Sequence, residues 1–327
     1  MPDPPAPGPG EVLVRVRAVG VCGSDLHWYY DGRIGRKLVS YPQLLGHEAA
    51  GEVSAAGPGA AFEPGCRVAI EPAVTCGACE LCRSGRHNLC RQGTFMGSCP
   101  TPGLFREYAV VPAANLIRVP DAMDWAAATL IEPLAVVLHV LELAPVRLGD
   151  IVAVSGAGPI GLLIVAAARA AGASRIIAAD LSASRVELAR RMGADVVVNA
   201  REASLAEAVL DETRGRGADT VYEAAGDNAS VNQALRAAAT GGTVVLIGLS
   251  GRVEQPVDLD SAMAKELKVQ AIRRSNHNSH AAVAMLAAGR IPGALVTHRF
   301  DLDDTPRVFE SLTSGHLAAG KIIIEIP

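Results

Sequence analysis

Ile151-Val152-Ala153-Val154-Ser155-Gly156-Ala157-Gly158-Pro159-Ile160-Gly161 is the stretch that decides the fold. Its four opening apolar residues describe a strand covered on both faces, as in a parallel sheet. The G-x-G-x-x-G run that follows is weak evidence alone, but here it stands after a strand and before helical text, the setting a dinucleotide site requires. Gly156 permits the tight turn, Gly158 lets a pyrophosphate approach the backbone, and Gly161 lets the helix pack against the sheet. Pro159 and Ile160 open that helix, whose N-terminus faces the phosphates. The plain alternative is a strand-to-helix turn without a ligand.

Downstream the rhythm of strand and helix continues. A helix from Pro159 to Ala171 should stop at Gly172, and Arg175 to Ala179 makes a second strand ending in Asp180. Further strands are expected over Asp195 to Val198, Asp219 to Glu223, Thr243 to Gly248 and Lys268 to Ile272, separated by Ala-rich helical text. Six strands with crossover helices specify a doubly wound parallel sheet. Asp180 lies nineteen residues after Gly161, where a carboxylate can accept both adenosine ribose hydroxyls. That favours NAD over NADP, since a 2′-phosphate there meets a like charge at a cost of about 1 to 4 kcal/mol. Arg185 complicates the preference, unless it is an ordinary solvated helix residue.

Upstream, Val12, Val14 and Val16 alternate with Leu13, Arg15 and Arg17 as in a half-buried strand, and Pro and Gly punctuate the text to about Pro120. A β-rich first domain with long loops is expected at 1–130, the dinucleotide domain at 131–270, and a return to the first domain at 271–327. That return carries strands over Leu295 to Phe300 and Lys321 to Ile326 and a short helix near Pro306.

Inside the first domain, Cys76, Cys79, Cys82 and Cys90 fall within fifteen residues in the spacing C-x2-C-x2-C-x7-C. Four thiolates satisfy tetrahedral zinc and leave no open position, so the lobe 76–90 should hold a structural ion. Two disulfides or free thiols are the alternatives, and no secretory signal favours an oxidising compartment. Cys66 and Cys99 read as buried structural thiols. A formal charge of -4 with scattered basic residues offers no footprint for nucleic acid. The longest apolar stretch, Ile160 to Ala168, is far short of the ~20 residues of a membrane span, which suggests a soluble, cytoplasmic protein.

Gly20-Val21-Cys22-Gly23-Ser24-Asp25-Leu26-His27, Gly46-His47-Glu48 and Ile131-Glu132-Pro133-Leu134, taken with the cysteine lobe and the glycine turn, resemble the zinc-dependent medium-chain dehydrogenases over nearly the whole chain. Glu132 before Pro-Leu-Ala resembles their sorbitol (polyol) dehydrogenase branch. The resemblance implies a GroES-like β-rich catalytic domain beside a Rossmann domain and two zinc ions per chain. Cys22 and His47 would be direct ligands of a catalytic zinc, with Glu48 and Glu132 the remaining carboxylate ligands, one of them acting through water or only when substrate leaves. Ser24 and His27 match the family's proton relay, though His27 also reads as an ordinary exposed histidine.

Trp28, Tyr29 and Tyr30 directly follow this relay and Phe95-Met96-Gly97-Ser98 resembles a pocket segment of polyol dehydrogenases, so one wall of the pocket should be aromatic with the Ser98 hydroxyl nearby. Core or interface packing is the alternative for each. Arg273 lies where that branch has a substrate-contacting arginine. Arg274 departs from the pattern, standing where sorbitol dehydrogenases carry an aromatic residue. Paired guanidinium groups would welcome a carboxylate such as an aldonate. The reading is therefore NAD-dependent oxidation of a polyol's secondary alcohol to a ketone, with a sugar-acid dehydrogenase as the nearest alternative and a non-catalytic dinucleotide-binding scaffold as the rival from another class. A dimer or tetramer is implied, with Rossmann sheet edges meeting. The family usually places another strand before Pro9-Gly10-Glu11-Val12, where only a Pro-rich octad stands here, so either the chain is trimmed or its first strand is absent and leaves a sheet edge in need of cover.

Overall fold

The computed structural model describes residues 4–314, 317 and 320–327. Six parallel strands form one sheet in the order Val196–Asn199, Arg175–Asp180, Ile151–Ser155, Ala218–Glu223, Ala238–Leu246 and Lys268–Ala271. Ile151 lies opposite Arg175 and Ser155 opposite Ala179, while Val152 faces Thr220 on the other side. The alternation within Ile151–Ser155 feeds two cores. Val152 and Val154 pack with Leu162, Leu163 and Val165, and Ala153 packs with Ile177, Val209 and Val221 on the opposite face.

The first helix after the glycine turn runs Pro159–Ala171, with proline in its first turn and Gly172 in the left-handed region at φ 100°. Leu162 through Ala168 are all buried, since this helix lies between the sheet and the Ile131–Leu143 helix. One strand begins earlier than its sequence suggests. Ala238–Leu246 starts in Ala-Ala-Thr-Gly-Gly text, and its register against Ala218–Glu223 jumps from Ala218↔Ala238 to Thr220↔Thr243.

The second sheet has seven strands. Val296–Asp301, Lys321–Glu325, Glu11–Gly20, Glu48–Ala56, Arg67–Ile70 and Leu116–Arg118 follow one another, and Tyr108–Pro112 also pairs with Glu11–Gly20. The C-terminal segment thus returns to the N-terminal sheet, with Ala18↔Glu325 and Gly20↔Ile323 in antiparallel register. Glu11–Gly20 is itself no sheet edge. Tyr108–Pro112 covers it from Glu11↔Pro112 to Arg15↔Tyr108 and Glu48–Ala56 flanks its other side, so its backbone groups are paired. Val12, Val14 and Val16 are buried, as their alternation requires. Among the described residues no helix is long and apolar enough to cross a membrane.

Candidate active site and metal centres

Two groups of metal-ligating side chains occur among the described residues, each with its ligand atoms within 4.8 Å of one another. The first is Cys76, Cys79, Cys82 and Cys90. Cys79 precedes the short Glu80–Arg83 turn that carries Cys82, and Cys90 follows the His87–Leu89 turn, so two tight turns aim four sulfurs inward. Sγ–Sγ separations are 3.5 Å for Cys76–Cys90 and 4.0 Å for both Cys76–Cys82 and Cys79–Cys90. Thiolates about 2.3 Å from a shared tetrahedral ion stand about 3.8 Å apart, so this donor set fits zinc.

The sulfurs are not bonded to one another, and all seven cysteines of the chain are free. The N–H of Cys82 pulls the Cys79 thiol down to about 6, whereas burial pushes Cys82 up to about 12 with the help of the neighbouring sulfurs. Such crowding shares protons unevenly, and a dication that takes their place relieves it.

The second group is Cys22, His47 and Glu48. Cys22 starts the short Gly23–Leu26 helix, its N–H donating to Asp25 Oδ2 at 3.0 Å while Ser24 Oγ donates to its sulfur at 3.3 Å. Asp25 is sealed from solvent. Its Oδ1 accepts the Gly46 N–H at 3.0 Å and faces His47 Nδ1 at 3.4 Å. Burial alone would depress the His47 imidazole, but Asp25 and the Cys22 sulfur more than reverse this and hold it well above its ordinary value. A histidine backed by a carboxylate is the usual partner arrangement of a metal-ligating imidazole.

Glu48 begins the Glu48–Ala56 strand, and its carboxylate is ion-paired with the buried ammonium of Lys321. Glu132, in the first turn of Ile131–Leu143, lies outside the three-residue cluster. Burial nevertheless pushes its carboxyl up to about 8, opposed by the charge of His47 and reinforced by Glu48 and Glu71.

The remaining polar residues lie around this cluster. His27 Nδ1 is 2.6 Å from Asp31 Oδ2 within the irregular His27–Asp31 turn, so its imidazole is oriented toward solvent-side Asp31 while Ser24 turns to Cys22. Trp28 is buried in the same turn. The Phe95 ring centroid is 5.4 Å from that of His47, and Ser98 Oγ accepts from Lys37 Nζ at 3.5 Å. Arg273 offers its carbonyl to Asn88 Nδ2 at 2.9 Å, whereas Arg274 stacks on Phe95 with Cζ 4.0 Å from the ring centroid. Of this arginine pair, Arg274 is the one laid against the ring beside His47.

On the other sheet, the glycine turn is shaped as a cradle. Gly156 has φ 95°, and a Cβ there would meet Ala225 N at 2.7 Å, while one at Gly161 would meet Gly156 O at 1.8 Å. A Cβ on Gly158 meets nothing within 4 Å, so space is open above the start of the helix where Pro159 and Ile160 begin it. Asp180 braces the turn, its Oδ2 accepting the Ala157 N–H and its Oδ1 the Ser182 N–H, both at 2.8 Å. Arg185 sits on the Ala183–Arg191 helix that leaves this strand end. This cradle at the carboxyl ends of parallel strands fits a dinucleotide.

Sequence reading missed Asp25, Glu71, Glu223 and Lys321. Glu223 Oε1 accepts from Ala225 N, Gly226 N and Ser230 Oγ at 2.7–2.8 Å, fixing the loop against which Gly156 packs. For Lys321, a signal was present in principle, since a lone lysine heads an otherwise apolar run of isoleucines.

Comparison with known proteins agrees with this geometry. Residues 8–121 match the family described as alcohol dehydrogenase GroES-like domain, and residues 159–288 match zinc-binding dehydrogenase. The sorbitol dehydrogenase of Bacillus subtilis (strain 168) is 39% identical over 302 residues, covering 92% of this chain and 86% of its own. A solved alcohol dehydrogenase from E. coli CFT073, complexed with NADH, superposes with a TM-score of 0.90 at 32% identity, covering 99% of this chain and 94% of that one. L-idonate 5-dehydrogenase from Escherichia coli superposes at 0.88 with 31% identity, covering 97% and 91%. The GroES-like match, the zinc-binding dehydrogenase match and this end-to-end similarity show that the chain belongs to the zinc-dependent medium-chain dehydrogenases, in their sorbitol dehydrogenase-like branch.

Proposed function

We propose that this enzyme oxidises the secondary alcohol of a polyol to a ketone with NAD+, using one zinc at Cys22, His47 and Glu48 and a second, structural zinc in the four-cysteine lobe. The observation that carries the reading is the convergence of a thiol, an imidazole and a carboxylate within 4.8 Å, with the buried carboxyl of Glu132 under the charge of His47 and Glu48. When bound, zinc supplies Lewis acidity to the substrate hydroxyl and NAD+ accepts the hydride. The chain supplies orientation and proton handling. Asp25 fixes the His47 ring, Lys321 holds Glu48, and the Ser24 hydroxyl beside Cys22 would hand its own proton on toward solvent as it takes that of the substrate hydroxyl. His27, steadied by Asp31, offers an imidazole on the solvent side to receive it. Asp180 is the group that selects NAD.

Arg274 favours a second reading of the substrate. A guanidinium stacked on Phe95 suits the carboxylate of an aldonate, and relatives include an L-idonate dehydrogenase. Kinetics with a panel of polyols, aldonates and monohydric alcohols, using NAD and NADP in turn, test both readings. The polyol reading stands if a polyol gives the highest kcat/KM, and the aldonate reading replaces it if an aldonate does.

The Lys268–Ala271 strand is the outermost of its sheet, with Val269 exposed on it and Leu259 and Met263 exposed on the helix that precedes it. This supports pairing of that edge with a second copy in a dimer or tetramer, which sedimentation would reveal. Seven unbonded cysteines support a reducing, cytoplasmic setting.

A further inference from the structure

Asn276 ties the four-cysteine lobe to the segment that carries Arg274. Asn276 Oδ1 accepts the N–H of His87 at 3.0 Å and that of Asn88 at 3.5 Å, and its Nδ2 donates to Gly85 O at 2.7 Å. These three bonds grip the turn that leads into Cys90. Asn88 reciprocates, its buried amide donating to Arg273 O at 2.9 Å, and the rings of His87 and His277 meet edge to face at 4.1 Å.

The segment gripped in this way, 273–279, is strained at two places. Arg274 has φ 56° and His277 φ 63°, a region that side-chain-bearing residues hold only where their surroundings over-determine it. Its far end is fastened independently, by Ser279 Oγ donating to Glu71 Oε2 and Asn278 Nδ2 to Glu142 Oε1, both at 2.7 Å. Arg274 is therefore bent out of the strap and onto Phe95, the ring that also packs on His47.

We propose that Asn276 is a positioning residue: it clamps the 273–279 strap to the four-cysteine lobe and thereby holds Arg274 over Phe95, so that the lobe takes part in substrate selection. The proposal rests on the reading of the His47 pocket as the substrate site. Zinc in the lobe, which keeps the 85–90 turn in shape, then bears on how substrate is recognised although it touches none of it.

The test uses the full-length, zinc-loaded enzyme and two measurements. Hydrogen–deuterium exchange, without substrate, should show the 273–279 strap exchanging about tenfold faster in Asn276→Ala, with zinc content and the parallel-sheet strands unchanged. Asn276→Asp, which retains the acceptor for His87 and Asn88, should fall between. Kinetics should show KM for the best polyol or aldonate raised about tenfold in Asn276→Ala, with kcat changed less than about threefold and KM for NAD unaffected. The Asn276→Ala/Arg274→Ala double variant should be no worse than Arg274→Ala alone, because the clamp acts through the arginine.

Unchanged exchange of the strap overturns the clamp, and independent addition of the two KM effects overturns its action through Arg274. If the strap loosens as expected but neither polyols nor aldonates are turned over, the fault lies in the substrate reading, and the role in selection falls with it.

Discussion

Lys321 and Glu48 form an ion pair within the seven-stranded sheet, the lysine reaching from the last strand with only 1% of its side chain exposed. Its ammonium also donates to Val21 O at 3.0 Å, so it touches both the carboxylate of the Cys22/His47 cluster and the backbone that precedes Cys22. Burial would depress this ammonium, but Glu48 and Cys22 hold it above its ordinary value. Replacing one member of such a pair leaves an uncompensated buried charge, so Lys321→Met should lower stability by about 3–5 kcal/mol. Lys321→Met/Glu48→Gln should be milder than the sum of the single changes. Urea unfolding of the four proteins completes the cycle, and simple additivity would mean that the two groups are not coupled.

The two metal centres should separate under mutation. Cys79→Ser should lose one zinc per chain and lower thermal stability, because the lobe has few other interior contacts to hold its turns. Cys22→Ser and His47→Ala should abolish turnover while NAD still binds, since the cradle lies on the other sheet. Metal analysis that finds one zinc per chain in the unmodified enzyme would remove one of the two centres from the account.

Zinc affinity at the Cys22/His47/Glu48 site should rise with pH. In the metal-free protein the protonated His47 is stabilised by Asp25, a contribution fully present below the ordinary histidine value of 6.5 and lost as pH climbs through the raised folded value. Metal requires the neutral ring and the thiolate, so each proton displaced contributes up to about tenfold in affinity per pH unit. Chelator competition at mildly acid and mildly alkaline pH should show tighter zinc at the higher value. A flat profile would mean that neither His47 nor Cys22 gives up a proton to the metal over that range.

Asp180→Ala should reduce the preference for NAD over NADP by about tenfold or more, roughly 1.4 kcal/mol. Removing the carboxylate abolishes its repulsion of a 2′-phosphate, but it also strands the N–H of Ala157 and Ser182. The KM for NAD should therefore rise as well. Equal kcat/KM for both cofactors in the unmodified enzyme would assign control to Arg185 or another cation.

Small monohydric alcohols should be poor substrates, about 100-fold or more below the best polyol or aldonate, because they leave polar groups of the pocket unpaired. Arg274→Tyr separates the two readings. It should shift preference toward neutral polyols if a carboxylate is the natural partner of Arg274, and alter little if it is not.

Much of the fold was legible because local signals and tertiary context agree. The Pro159–Ala171 helix matches its expectation at both ends, since proline presets the first turn and Gly172 tolerates the left-handed stop. The start of Ala238–Leu246 was not legible, because Ala-Ala-Thr-Gly-Gly carries no strand pattern and its pairing is set by the neighbouring Ala218–Glu223 strand. Cys22, His47 and Glu48 were legible from family resemblance. Asp25 and Lys321 were not, since one acts through the back of an imidazole and the other arrives from the opposite end of the chain. The Arg274 stack depends on a backbone bend at φ 56° that nothing local in Arg-Arg-Ser-Asn announces.

The pairing of Lys321–Glu325 with Glu11–Gly20 also sets a timetable for the nascent chain. Synthesis at about 5–20 residues per second separates the emergence of Gly20 from that of Lys321 by about 15 to 60 s. Through that interval the N-terminal sheet lacks its return strands, and the Glu48 carboxylate lacks its cation. The parallel sheet, whose strands lie closer together in sequence, can assemble first. Ribosome pauses or truncations before Lys321 should therefore yield chains that still bind nucleotide but cannot complete their catalytic half, a population for chaperones and proteases to sort.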